Sequence, residues 1–198
     1  MTTYILAGGC DGDYPEYMTQ LARVVRMKVA KPKILSCGFS SEDEQAKARY
    51  SARKQMIENG FGGSESVDVT MANKAHFIEQ VRTADVVYFH GGATALLVDA
   101  MRAYPNIREV FVGKIIIGSS AGANYLSRYG FSPSVNKACS GEGLLDVAVV
   151  VHYDSSGFSG KSFTPEYWQR AVEAVRDMSG QQEIVLLPEG TFTVIEKE

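Results

Sequence analysis

The stretch "KIIIGSSAGANYL", residues 114–126, decides how the rest of the chain is read. A short apolar run is followed by Gly118-Ser119-Ser120-Ala121-Gly122-Ala123 and then by residues able to start a helix. The spacing Gly118-x-Ser120-x-Gly122, between a strand and a helix, is that of a nucleophile elbow. Small neighbours let strand and helix approach closely, and a tight turn holds the serine strained, with its hydroxyl at the tip of the sheet. The helix start and the Ala121 N–H then face any negative charge that develops there. Ser120 lies between the two glycines; Ser119 does not. A glycine-rich turn that binds an anion, with Ser120 as helix cap, has the same spacing. The elbow alone leaves both readings open.

Outward from the elbow, short apolar runs alternate with segments of helical period. The runs cover residues 4–9, 33–39, 66–71, 85–92, 114–120, 147–153 and 184–190. They are rich in Val and Ile and apolar on both parities, as strands covered on both faces are. Between them lie "PEYMTQLARVVRM", with Pro15 in a first turn, "SEDEQAKARYSARKQMIENG", with Ser41 at its start and Gly60 at its end, and "TPEYWQRAVEAVRDMSG", opening at Thr164-Pro165 and ending at Gly180. The alternation predicts an α/β fold of three layers, a mostly parallel sheet flanked by helices, in one domain spanning residues 1–198. "TFTVIEKE" reads as a last short strand. Loops at the carboxyl ends of such strands form the crevice, which places "GGCDGDY", "CGFSSED", "HGGAT", "GSSAG" and "HYDSSGFSG" around it. In "GGCDGDYPEY" (Gly8–Tyr17), which extends the first of these, Asp11, Asp13 and Glu16 would repel a phosphate, so it reads as a rim loop.

Bulk properties narrow the function. The net charge of −3 and the lack of a basic run disfavour nucleic acid and anionic membrane as partners. "MTTYILAGGC" lacks the features of a signal peptide, and no apolar window approaches the ~18 residues of a membrane helix. Cys10, Cys37 and Cys139 are odd in number and without a CxxC, which fits reduced thiols in a cytoplasm and no metal site.

A serine nucleophile needs a base. Of the three histidines, His76 reads as an ordinary helix residue, while His90 and His152 end predicted strands. His152 follows the elbow in the chain. His90 precedes Gly91-Gly92, a pair suited to bringing a backbone N–H close to a ligand.

"GSSAGAN", "FHGGATALL", "VVHYD" and "LLPEGTF", taken together and in this order, resemble the dipeptidase E and cyanophycinase family of serine peptidases. The resemblance covers most of the chain. It implies a fold like the class I glutamine amidotransferases, Ser120 as nucleophile, His152 as general base, and the N–H groups of Gly92 and Ala121 as oxyanion hole. It also implies a small peptide as substrate, with N-terminal aspartate preferred, and no metal or organic cofactor. A homodimer is compatible with the sequence. Arg170 or Lys161 is the expected partner of an acidic substrate group. Two positions depart from the family pattern. Ala93 stands where Asn or Asp is usual, and Val135 and Asn136 stand where an aspartate is expected. Three carboxylates are candidates for the missing acid: Asp154 first, by its His-x-acid spacing, then Glu142, and Glu189 in a turn where a carboxylate more often fixes the backbone. A binding domain that has lost efficient catalysis, and an amidase of unrelated substrate, are the rival expectations.

Overall fold

A computed structural model describes residues 1–10, 15–158, 160–180 and 182–198; Asp11 and Asp13 of the predicted rim loop lie outside the described residues. In chain order the elements are β1 (Thr2–Ala7), α1 (Pro15–Arg26), β2 (Lys33–Cys37), α2 (Asp43–Gly60), β3 (Asp68–Met71), α3 (Phe77–Thr83), β4 (Val86–Phe89), α4 (Thr94–Met101), α5 (Ile107–Val110), β5 (Ile115–Ser119) and α6 (Ala121–Leu126). They continue with β6 (Ser127–Ser132), β7 (Lys137–Ser140), β8 (Leu145–Tyr153), β9 (Gly157–Phe158), β10 (Lys161–Ser162), α7 (Pro165–Ser179), β11 (Ile184–Pro188) and β12 (Phe192–Lys197).

The main sheet runs β12-β1-β5-β4-β2-β3. All its pairings are parallel except that of β12 with β1. Its inner strands β1 and β5 are buried at every residue, which is why the sequence shows no alternation there. The fold is therefore the expected α/β arrangement of a mostly parallel sheet flanked by helices. One feature differs. The runs at 147–153 and 184–190 leave the main sheet and form a second one, β11-β8-β6-β7, whose β6–β7 hairpin comes from a segment with no strand signal. Strand pairing is a long-range choice, and apolarity on both parities does not say which sheet a strand joins. One apolar cluster, including Leu6, Ile116, Val149, Val151 and Leu187, spans both sheets and locks them together.

Two helix ends behave differently from one another. Thr164 caps α7, accepting the Tyr167 N–H at 3.4 Å, and Gly180 follows it with φ 65°, as the sequence predicts. Ser41 does not cap α2: the helix begins one residue later than a Ser41 cap requires, with Glu42 in the cap position and no side-chain bond. Acidic residues in its first turn supply the favourable charge there instead. No helix among the described residues is long and apolar enough to cross a membrane.

Candidate active site

β5 delivers the elbow. Ser120 takes φ 52° and ψ −107°, a conformation that costs an ordinary residue about 1–3 kcal/mol. The close approach that demands small residues is visible directly: a Cβ on Gly118 would lie 2.5 Å from the Gly122 backbone. The strain turns the hydroxyl out of the sheet toward β8.

His152, near the end of β8, meets it. Its Nε2 is 2.8 Å from Ser120 Oγ, and its Nδ1 is 2.8 Å from Glu189 Oε1. The arrangement that satisfies both contacts has Nδ1–H donating to the carboxylate, while Ser120 Oγ–H donates to Nε2. Both partners of the His152–Glu189 contact are nearly inaccessible, with side-chain exposures of 2% and 5%.

The carboxylate that meets His152 therefore differs from the first expectation. His152 and Asp154 both adopt positive φ, 55° and 60°, so the chain turns sharply, and Asp154 ends up exposed. Glu142 is also exposed, in the loop after β7, beside Arg128 and Asp146. The missing family aspartate maps to the β6–β7 turn, where Val135 is exposed. Glu189 ranks last on residue pattern because its turn is structured, yet that structure is what aims it.

Three consecutive carbonyls at the end of β1 hold the three pieces. Ala7 O accepts the Ser120 N–H at 3.0 Å, Gly8 O accepts the His152 N–H at 2.9 Å, and Gly9 O accepts the Gly190 N–H at 2.9 Å. Gly9, at φ 116°, lies against the imidazole so closely that a Cβ there would be 2.2 Å from His152 Cε1. "AGG", residues 7–9, is thus a mount for Ser120, His152 and the turn that carries Glu189, not merely a rim.

Gly91 borders the serine, since a Cβ built on it would lie 3.7 Å from Ser120 Oγ. The N–H groups of Gly92 and Ala121 make no hydrogen bond outside regular helix and strand pairing among the described residues. Ala93 starts α4 without a side-chain cap, and its N–H goes to Ser40 O at 2.7 Å. His90 is buried, stacked on Tyr88, with Nε2 2.8 Å from Ser36 Oγ. Burial, and secondarily the Arg53 charge, holds its pKa well below the ordinary 6.5, so it is a neutral structural group. His76 is exposed and 3.3 Å from Glu79.

Ser120 and His152 open onto a cleft of about 380 Å³, large enough for a short ligand. It is lined by the cations Arg49 and Arg53, four residues apart on α2, and also by Cys10, Tyr17, Met56 and Tyr88. Neither arginine has an ion-pair partner among the described residues. Burial, then the Arg49 charge, lowers the pKa of Arg53. Arg170 and Lys161 are exposed and do not line the cleft; Lys161 Nζ donates to Ser134 O at 2.7 Å. The sequence holds one signal for the arginines, their shared helix face, but α2 carries charge all round and the pair does not stand out.

A sequence model for Peptidase family S51 matches residues 12–198. The chain belongs to this family. It is a serine peptidase. No curated protein sequence matches it. Among solved structures, a peptidase from an acI-B1 actinobacterium superposes with a TM-score of 0.68 at 20% identity, covering 98% of this S51 chain and 83% of its own. A putative peptidase E protein from Listeria monocytogenes EGD-e superposes at 0.65 with 15% identity, covering 100% of both chains. At such identities the two likenesses establish the fold.

Proposed function

We propose that residues 1–198 form one hydrolytic domain, a dipeptidase E-type exopeptidase that cleaves short peptides, with N-terminal aspartate favoured. Ser120 is the nucleophile, His152 the base, Glu189 the acid, and Gly92 and Ala121 the oxyanion donors. The observation that carries this reading is the continuous Ser120–His152–Glu189 chain, 2.8 Å at each link.

Chemistry follows from it. The Ser120 proton passes to His152 Nε2 as Oγ bonds to the substrate carbonyl carbon, whose oxygen becomes the oxyanion. The C–N bond then breaks, and the imidazolium gives its proton to the departing amine. Water, deprotonated by the same nitrogen, attacks the acyl-enzyme and restores Ser120. Glu189 keeps Nδ1 protonated throughout and balances the imidazolium.

The substrate preference is supported by Arg49 and Arg53. The leaving amine must sit beside His152, so the acyl half lies on the Gly91 side of Ser120, where Arg53 is found. A carboxylate on that half would meet two guanidiniums that lack a carboxylate partner among the described residues. Three cysteines, none in a disulfide, fit a reducing compartment, the cytoplasm. The test is hydrolysis of dipeptides with N-terminal Asp, Ala, Leu or Lys, by wild type beside Ser120→Ala. Turnover of Asp-X that disappears in the variant is expected. Turnover that survives Ser120→Ala refutes the nucleophile, and equal rates for Asp and Lys refute the preference.

A further inference from the structure

The peptide between Gly91 and Gly92 is gripped from one side. Arg53 Nη2 donates to Gly91 O at 3.2 Å. Ser40 Oγ shares its proton between the same oxygen, at 2.9 Å, and His90 O, at 3.0 Å. Ser40 also accepts the Ala93 N–H through its own carbonyl, and a Cβ on Gly92, at φ 150°, would lie 2.4 Å from that carbonyl oxygen. In a trans peptide the C=O and the following N–H point in opposite directions across one rigid plane. Fixing the Gly91 oxygen therefore fixes the aim of the Gly92 N–H.

We propose that Arg53 and Ser40 are positioning residues for catalysis: they hold the Gly91–Gly92 peptide so that the Gly92 N–H faces the oxyanion. Two glycines in succession leave this peptide free to rotate, since neither has a Cβ to oppose it. A rotated peptide would present the Gly91 oxygen to the developing oxyanion, replacing attraction by repulsion. The two donors oppose that rotation, one of them charged and therefore the stronger. Arg53 contributes to the reaction here without needing an acidic substrate, a role separate from any part in binding one.

The inference rests on Ser120 being the nucleophile, so its test keeps the two apart. Labelling by a fluorophosphonate, in which Oγ bonds to phosphorus and fluoride leaves, passes through an oxyanion-like transition state and needs no peptide specificity. Loss of labelling in Ser120→Ala checks the nucleophile. Arg53→Ala and Ser40→Ala are then expected to slow labelling, and kcat on a neutral dipeptide, by about 10- to 100-fold, a fraction of what one oxyanion donor supplies. KM should stay within about threefold. Losses in the double variant should fall short of the product of the single losses, because both act on one oxygen. Millimolar guanidinium should restore part of the rate to Arg53→Ala, which general loss of folding would not allow, and thermal unfolding checks folding directly. Unchanged labelling and unchanged neutral-substrate kcat in Arg53→Ala would overturn the proposal. So would a loss confined to the KM of acidic substrates.

Discussion

Replacing Glu189 by Gln removes one charge while keeping the side chain's size, and the geometry sets the cost. The carboxylate contacts His152 Nδ1 at 2.8 Å with almost no solvent access to either group. In the transition state the imidazole carries a full positive charge. With charge centres about 4 Å apart and an effective dielectric near 20, the pair is worth about 4 kcal/mol. That corresponds to about 10³-fold in kcat. A second loss adds to it: Gln can donate its amide hydrogen to Nδ1, which shifts the ring proton to Nε2 and leaves Ser120 without a base. The expected fall in kcat is therefore about 10³- to 10⁴-fold, with KM little changed. Asp154→Asn and Glu142→Gln, both at exposed carboxylates, should stay within about threefold of wild type. The assay is steady-state hydrolysis of one dipeptide by all three variants, with thermal unfolding to confirm that each is folded. Glu189→Gln retaining a tenth of wild-type kcat, or Asp154→Asn losing a thousandfold, would refute the assignment.

Other consequences follow from single contacts. Gly9→Ala puts a methyl group into the His152 ring; kcat should fall at least about 100-fold, and an unchanged kcat would contradict the fitted imidazole. Arg49→Ala should lower the Asp-over-Ala preference in kcat/KM by about two- to fivefold, measured on matched dipeptides, because an exposed cation contributes modestly. Gly122→Ala meets the Phe89 carbonyl oxygen, 2.4 Å from the added carbon, and should lower stability by about 1–3 kcal/mol in denaturant unfolding. The His90 pKa is depressed in the folded chain relative to 6.5. Below 6.5 the unfolded chain thus binds a proton that the folded chain refuses, and stability falls as pH falls through that window, by up to about 1.4 kcal/mol per pH unit. Denaturant unfolding between pH 5 and 7 should show a shallower acid slope for His90→Gln; equal slopes would contradict the buried neutral ring.

Residue patterns carry local information, and the site divides along that line. The elbow, the caps of α7 and the fully apolar strands follow from spacing within a few turns or a single strand, so Ser120 and the α/β order are legible in the sequence. His152 is legible through its strand end and its place after the elbow. The acid is not. Asp154 is two residues from His152 in sequence, but the positive φ at both positions turns the chain sharply and leaves Asp154 exposed; His and Asp adopt left-handed backbone more often than most residues, yet too rarely for the sequence to announce it. Glu189 lies 37 residues from His152 and meets it through pairing of β11 with β8, a tertiary event. Arg170 misleads for a related reason: a helix after the active-site loop is close in sequence to His152, while α7 packs against the second sheet and leaves Arg170 exposed. Arg49 and Arg53 reach the cleft from a helix far upstream of the elbow.

The division into two sheets explains why "AGG", residues 7–9, matters so much. Ser120 follows β5 of the main sheet, while His152 lies in β8 and Glu189 directly follows β11 of the second, so the angle between sheets would ordinarily decide whether the three groups meet. Here backbone bonds add to the apolar packing that joins the two sheets. Successive carbonyls of Ala7, Gly8 and Gly9 each bind the backbone of one segment, Ser120, His152 and Gly190. The spacing of carbonyls along the end of β1 therefore sets the spacing of the triad. Each such bond contributes about 1 kcal/mol, comparable with the cost of holding Ser120 or His152 at positive φ. The strain at Ser120 and His152 is offset by bonds to the same three-residue stretch, and a chain lacking that stretch would be free to relax both residues and separate them. Glycine at position 9 is required by this arrangement rather than by flexibility, because the carbonyl ladder brings the imidazole where a side chain would otherwise be.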